Sequence, residues 1–246
     1  MAATPAKPLM VDRILDASLK LFNEQGFHRV AMMRIAIHIG TSPSHIAYHF
    51  KSKSDILLAL FPRLEAALQE VMELDPSHAV PESIERNRYV LEALWNYRFF
   101  FIELPQIAPV DERVFASHLK LEKRILAMMQ HSFDLRIDEG TMRPVPPPNS
   151  TELLAKTIWI TWIDWIRRQQ LNHPDQKAPS TVSIYEAMLH AYCIVQPYFS
   201  SEFVDDILTR IEDRLQVRAL ARSKQASKSR VAGKSRSRKR WRVARA

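Results

Sequence analysis

An all-α fold is what this sequence predicts, on three observations. The four glycines, at positions 26, 40, 140 and 233, are too few to supply the left-handed positions that a set of β-turns requires. Apolar residues recur at helical spacing over most of the chain, where strands would alternate. The stretch from Met32 to Phe50, MMRIAIHIGTSPSHIAYHF, reads as two short helices around a tight turn. A small three-helix head, a larger helical body and a basic tail are therefore expected.

Residues 1 to 9 read as a leader without structure of its own. From Val11 to Gln25 the stripe Ile14, Leu15, Leu19, Leu21 and Phe22 predicts a helix, which Gly26 closes. In the next unit Ile35, Ala36 and Ile39 make an apolar stripe, and Gly40 ends the helix in a left-handed conformation. Ser42 is placed to cap the following helix and Pro43 fits its first position. In that helix Ile46 and Phe50 turn inward together, and Ser44, His45 and Tyr48 share the opposite face. Small Ala36, then Gly40, then apolar Ile46 is helix-turn-helix spacing.

Ser52 and Asp55 have the spacing of a capping box, opening a helix from Lys53 to about Leu74. Pro62 falls inside it, removes one helical hydrogen bond and predicts a bend. A long helix is expected from Pro81 to Glu103 or Leu104, stopping before Pro105, and another from Val110 to Asp138 with a break near Ala116. The stretch from 142 to 150, MRPVPPPNS, reads as an extended connection. Ser150 or Thr151 starts the next helix, through Leu171, which contains IWITWIDWI. Only Thr157, Thr161, Asp164 and Arg168 leave it a polar side, so it needs cover on more than one face. Helices over 181 to 198 and from Glu202 to about Leu220 complete the body.

The net charge of +8 is unevenly spread. Twelve of the 35 basic residues and no acidic ones lie in 218–246, which leaves 23 basic against 27 acidic residues before them. Repulsion among its charges opposes any fold of that tail, whereas Arg236, Arg238, Lys239, Arg240 and Arg242 suit sequence-independent contact with phosphates. Trp241 among them is able to stack on a base or lie in a groove; a solubilising tail without a target is the alternative. The lone Cys193 excludes an intrachain disulfide and a multi-cysteine zinc site, and is expected to pack as a small apolar residue. No signal-peptide core and no apolar run near the ~18 residues of a membrane span occur, so a cytoplasmic protein without membrane contact is expected.

ILDASLKLFNEQGF, then RIA, then GTSPSHIAYHFKSKSDIL resembles the DNA-binding domain of the tetracycline-repressor (TetR) family of bacterial regulators. That family typically shows an apolar first helix ending in Gly-Phe, an Ile-Ala pair, Gly-x-Ser and a Tyr/His-Phe-x-x-Lys ending. Residues 12 to 58, about a fifth of the chain, carry the pattern. LWNYRFFFIELPQI further resembles the second domain of one subgroup with a YRFF-type body. The resemblance implies a leader over 1–9, a DNA-binding domain over 10–54, an effector-binding and dimerisation domain over 55–217, and the basic tail over 218–246. It places Thr41, Ser42, Ser44, His45, Tyr48 and His49 at the DNA, with Lys53 beside the phosphates. Three departures stand out. Ala47 occupies the place of a usual tyrosine, Ala31 and Met32 that of a capping hydroxyl, and Arg34 that of an acidic residue, which makes this surface more basic and suits an added phosphate contact.

By the same resemblance the chain is a homodimeric regulator, most often a repressor, of a near-palindromic operator, pairing through 151–171 and 181–198. A small-molecule effector, expected to be largely apolar, would sit among Trp95, Arg98, Phe99, Phe115, Met128, Trp159 and Trp162, with Arg98 toward an anionic head group. The alternative for these aromatics is ordinary core, with Arg98 in a structural ion pair. A competing class is an architectural protein that coats DNA with little sequence preference. His45 and His49 have the i, i+4 spacing of zinc ligands but lack the glutamate of H-E-x-x-H and a third ligand. With no Gly-rich phosphate loop and no nucleophile elbow, neither an enzyme nor a cofactor is expected.

Overall fold

Helix α1 (Met10–Gln25) buries Ile14, Leu15, Leu21 and Phe22, the stripe its spacing predicts. The coordinates are a computed structural model that describes residues 9–73, 80–107, 109 and 111–214. Helix α2 (Met32–Ile39) packs on α1 and fully buries Ala36. It ends at left-handed Gly40, φ +68°, whose N–H returns to the α2 carbonyls. Its start has no side-chain cap, as expected where Ala31 replaces a hydroxyl residue.

Helix α3 (Pro43–His49) is capped by Ser42, whose Oγ accepts the His45 N–H at 3.2 Å. Helix α4 (Lys53–Glu73) opens on the expected reciprocal box: Ser52 N–H donates to Asp55 Oδ2 at 2.9 Å, and Asp55 N–H donates to Ser52 Oγ at 3.2 Å. Buried Ile56, Leu57, Leu60, Leu64 and Leu68 turn α4 inward, while Pro62 faces solvent. Arg63 ties α4 to α1 through both Asp12 and Asp16, one turn apart.

The expected long helix after residue 80 is two helices, α5 (Val80–Asn96) and α6 (Arg98–Ile107), broken at Tyr97. At the break Asn23 donates through Nδ2 to the Asn96 carbonyl at 2.7 Å and accepts the Phe99 N–H on Oδ1 at 3.2 Å. One side chain of α1 thus serves groups that a continuous helix would have satisfied itself. Pro105 also lies inside α6 and does not end it. Its ring nitrogen has no proton for the Phe101 carbonyl, and Arg167 supplies two N–H groups in its place, at 3.2 and 3.1 Å.

Helix α7 (Glu112–Asp138) is uninterrupted at Ala116 and capped by Asp111. The 142–150 connection is not extended throughout: it turns at 147–148, where the Asn149 N–H is donated to the Pro146 carbonyl at 3.1 Å. Ser150 then caps α8 (Thr151–Asn172), and Ser180 caps α9 (Thr181–Val195), which ends in a single tight turn at Gln196–Tyr198. In the body α7 packs on α4 and α8, α8 on α6 and α9, and α9 on α5. Trp95, Phe99, Phe100, Trp159, Trp162 and Trp165 fill the core; the indole N–H groups of Trp95, Trp159 and Trp165 are donated to the Lys177 carbonyl, Glu122 and Ser183 respectively. Cys193 differs from its expected burial: it lies exposed on the outer side of α9. Residues 201–214 are helical and form a separate unit.

Candidate nucleic-acid interface

The head holds α3 by its inner face and leaves the outer one free. Ile46 and Phe50 are buried, and the Phe50 N–H closes the helix on the Ile46 carbonyl at 2.8 Å. Ser44, His45 and Tyr48 are exposed, Tyr48 at 77%. Of the other residues expected at DNA, Ser42 and Arg34 are exposed and Thr41 and His49 half-buried. The face is internally ordered. Thr41 Oγ1 stands 3.0 Å from His45 Nδ1, Ser42 Oγ 3.0 Å from Ser44 Oγ, and the His49 ring 5.1 Å from Tyr48, edge to face. Hydroxyls, imidazoles and a phenol on an outward-facing short helix match the donors and acceptors of a major-groove edge.

Lys53 stands apart from these residues. Its ammonium donates to the Phe27 carbonyl at 2.8 Å and lies 4.4 Å from the Phe27 ring centre. Burial lowers the pKa of this amine, and the charge of Glu103 partly restores it. The same Glu103, on α6, accepts the Phe27 N–H on Oε2 at 2.9 Å. Both backbone groups of Phe27 are thereby held, one by α4 and one by the body. Nothing in the sequence pattern marked Glu103 or Asn23, because each acts on backbone groups distant in the chain.

The body offers a groove of about 950 Å³ bordered by α6, α7, α8 and α9. Phe101, Leu104, Trp159 and Ile163 give it apolar walls, and His118, Glu122 and Arg167 polar ones. Burial lowers the His118 pKa, with Glu122 partly opposing the shift. Of the expected effector residues only Trp159 lies on this groove. Trp95, Phe99 and Trp162 are core, Phe115 is 46% exposed, and Met128 borders a smaller hollow of about 420 Å³ between α4 and α7. Arg98 is buried and committed to protein oxygens: Gln170 Oε1 at 2.8 Å, the Trp95 carbonyl and the Asn23 carbonyl. Aromatic spacing alone does not separate core from lining. The proline that frees the Phe101 carbonyl for Arg167 was the available signal.

Among the described residues no group of three or more metal-ligating side chains is assembled, and no helix is long and apolar enough to cross a membrane. A three-helix head that buries one side of a capped α3 and turns its polar side outward is that of a helix-turn-helix DNA-binding regulator. The chain belongs to the TetR family: residues 14–60 match the family's N-terminal model, bacterial regulatory proteins of the tetR family, and residues 63–207 match the model of the TetR bacterial transcriptional repressor. The family's members are transcriptional regulators, not enzymes. A probable HTH-type transcriptional regulator, YttP of Bacillus subtilis, is 24% identical over 138 residues, which are 52% of this chain and 63% of that protein. The chain spans less than two thirds of the length of the curated relatives it matches. Among solved structures, a TetR-family regulator from Marinobacter aquaeolei VT8 has the same fold, with a TM-score of 0.73 and 24% identity over 84% of this chain and 98% of that one. The FadR regulator of Bacillus subtilis, solved in complex with stearoyl-CoA, shares the fold at a TM-score of 0.57 and 16% identity over 75% of this chain and 97% of its own.

Proposed function

We propose that the chain is a homodimeric repressor. Paired copies of α3 read a near-palindromic operator, and a small, largely apolar effector releases it. The observation that carries this reading is the exposed face of Ser44, His45 and Tyr48, free of its own subunit and braced from behind by buried Ile46 and Phe50. A two-fold dimer sets two such helices about 34 to 36 Å apart, or a multiple of that, along one side of a duplex.

The dimer reading is supported by α8, where Leu153, Ile160 and Leu171 are exposed at 45%, 60% and 80% on one side of the helix. On α9 Cys193 is exposed, and Glu186 and His190, also exposed, border the α6–α9 groove together with Ile160, so the pairing face and the groove adjoin. These positions fall within the expected pairing segments, 151–171 and 181–198. The apolar walls of the α6–α9 groove support an apolar effector, and a similarly folded regulator holds stearoyl-CoA. Effector binding shifts the population toward dimers whose heads no longer fit the operator spacing. The organisation proposed is a DNA-binding head to residue 54, a body to 217 and a basic arm from 218. That arm, with Arg236, Arg238, Lys239, Arg240, Trp241 and Arg242, lies outside the described residues. Its role is sequence-independent affinity for DNA in the cytoplasm.

Selection of bound fragments from random DNA by the full chain, followed by competition with non-cognate duplex, tests this reading. A motif with two-fold symmetry and a specificity ratio of ~10³ or more is expected. A ratio near one would instead identify a DNA-coating protein. Thermal shift against fatty acids and acyl thioesters tests the effector class, and no shift at saturating concentrations would remove it.

A further inference from the structure

The His45 ring, on the exposed side of α3, is held by a neighbour outside the helix. The Thr41 hydroxyl stands 3.0 Å from Nδ1, leaving Nε2 directed away from that contact on an exposed side chain. Neither partner is free to wander. The Thr41 N–H is donated to the Ala36 carbonyl at 2.9 Å across left-handed Gly40, and the His45 N–H is donated to Ser42 at 3.2 Å. Ser42 Oγ, the other hydroxyl of the turn, stands 3.0 Å from Ser44 Oγ, which leaves Thr41 as the ring's hydrogen-bonding partner, with the His49 ring 5.5 Å away.

In a neutral imidazole one nitrogen donates and the other accepts, so a hydrogen bond at Nδ1 determines what Nε2 offers. We propose that Thr41 is a specificity-determining positioning residue: its hydroxyl donates to Nδ1, keeps the proton on Nε2, and makes His45 a donor that reads guanine N7 in each half-site. The inference rests on α3 being the recognition helix. Guanine is the base whose major-groove edge sets two acceptors, N7 and O6, side by side with no donor between them. Adenine places an amino group beside N7, thymine a methyl beside O4, and cytosine offers a donor. A lone donor therefore ranks guanine first. With the proton on Nδ1 instead, the ring would present an acceptor and prefer the amino groups of cytosine or adenine.

The test uses the full chain and the duplex it selects from random DNA, read by fluorescence anisotropy. H45A locates the base pair that His45 contacts, as the one position whose preference it abolishes. That pair is expected to be G·C, and 7-deazaguanine there, which lacks the N7 acceptor, should weaken wild-type binding about tenfold. T41V, of equal shape but without the hydroxyl, leaves both tautomers open and should narrow the difference between the natural and 7-deaza duplexes, and T41S should restore it. Helical circular dichroism of each variant verifies folding. An A·T pair at the H45A position, no penalty from 7-deazaguanine, or a T41V protein that keeps the full penalty would each overturn the inference. A wild-type chain that selects no two-fold motif would overturn the recognition-helix reading with it, and would do so before any variant is made.

Discussion

At Gly26 the backbone φ is +84°, and a Cβ there would stand 2.7 Å from Glu103 Oε1. That oxygen belongs to the carboxylate that caps the Phe27 N–H, so relief of the clash disturbs the joint between head and body. Replacement of Gly26 by alanine is expected to cost about 1–3 kcal/mol from backbone strain alone. Urea unfolding should show it as a lower midpoint. Ser42 is a second residue whose effect is local: S42A removes the side-chain acceptor for the His45 N–H, leaving it the Ser42 carbonyl at 3.1 Å, and should destabilise by ~1 kcal/mol, with operator affinity falling further than stability. An S42A protein that loses stability while keeping operator affinity would assign Ser42 to capping only.

Between elements the determinants are polar groups reaching across the chain. Arg167 on α8 satisfies the carbonyl that Pro105 leaves open on α6, and Asn23 on α1 bridges the break between α5 and α6. Where α7 faces α8, Glu122 accepts the Trp159 indole N–H at 2.9 Å, and His118 lies one turn away on the groove. Burial is the larger cause of the lowered His118 pKa. Below its ordinary value of 6.5 the unfolded chain therefore takes up this proton more readily than the folded one, and stability falls as pH falls through that range. H118Q should lessen the loss of melting temperature between about pH 7 and 5.5 relative to wild type, with the two converging in slope at higher pH. Parallel curves would show that His118 is not a source of the acid sensitivity.

Assembly and DNA affinity are properties of the whole molecule. Ile160 is 60% exposed in the single chain, at the middle of the α8 side that carries Leu153 and Leu171. Aspartate there would place an unpaired charge in the proposed interface, so I160D should shift sedimentation from dimer to monomer and reduce operator affinity in parallel. A dimeric I160D protein would move the interface elsewhere. Deletion after Leu220 should lower affinity for every duplex and leave operator preference intact. The salt dependence should flatten by about 0.9 in logarithmic slope for each phosphate that the arm no longer neutralises. An unchanged slope would remove the arm from the DNA.

The head was legible in the sequence because its determinants are local. Gly40, the Ser42 cap, Pro43 and the Ser52–Asp55 box each act within four residues, and the spacing of Ile35, Ala36, Ile46 and Phe50 separates an inner face from an outer one. The resemblance to TetR regulators was carried by those same residues. Periodicity also foretold most of the body's helices, but not the break at Tyr97 or the passage of α6 through Pro105. Both depend on side chains of α1 and α8 that supply the missing backbone partners. Only the tertiary structure brought buried Trp159 to the edge of the groove and kept Trp95 and Trp162 away from it, turned Arg98 toward protein oxygens, and set Glu103 against Phe27. The physical reason is range: capping and helical spacing are encoded over a few residues, whereas burial and the pairing of distant polar groups exist only after the helices have packed.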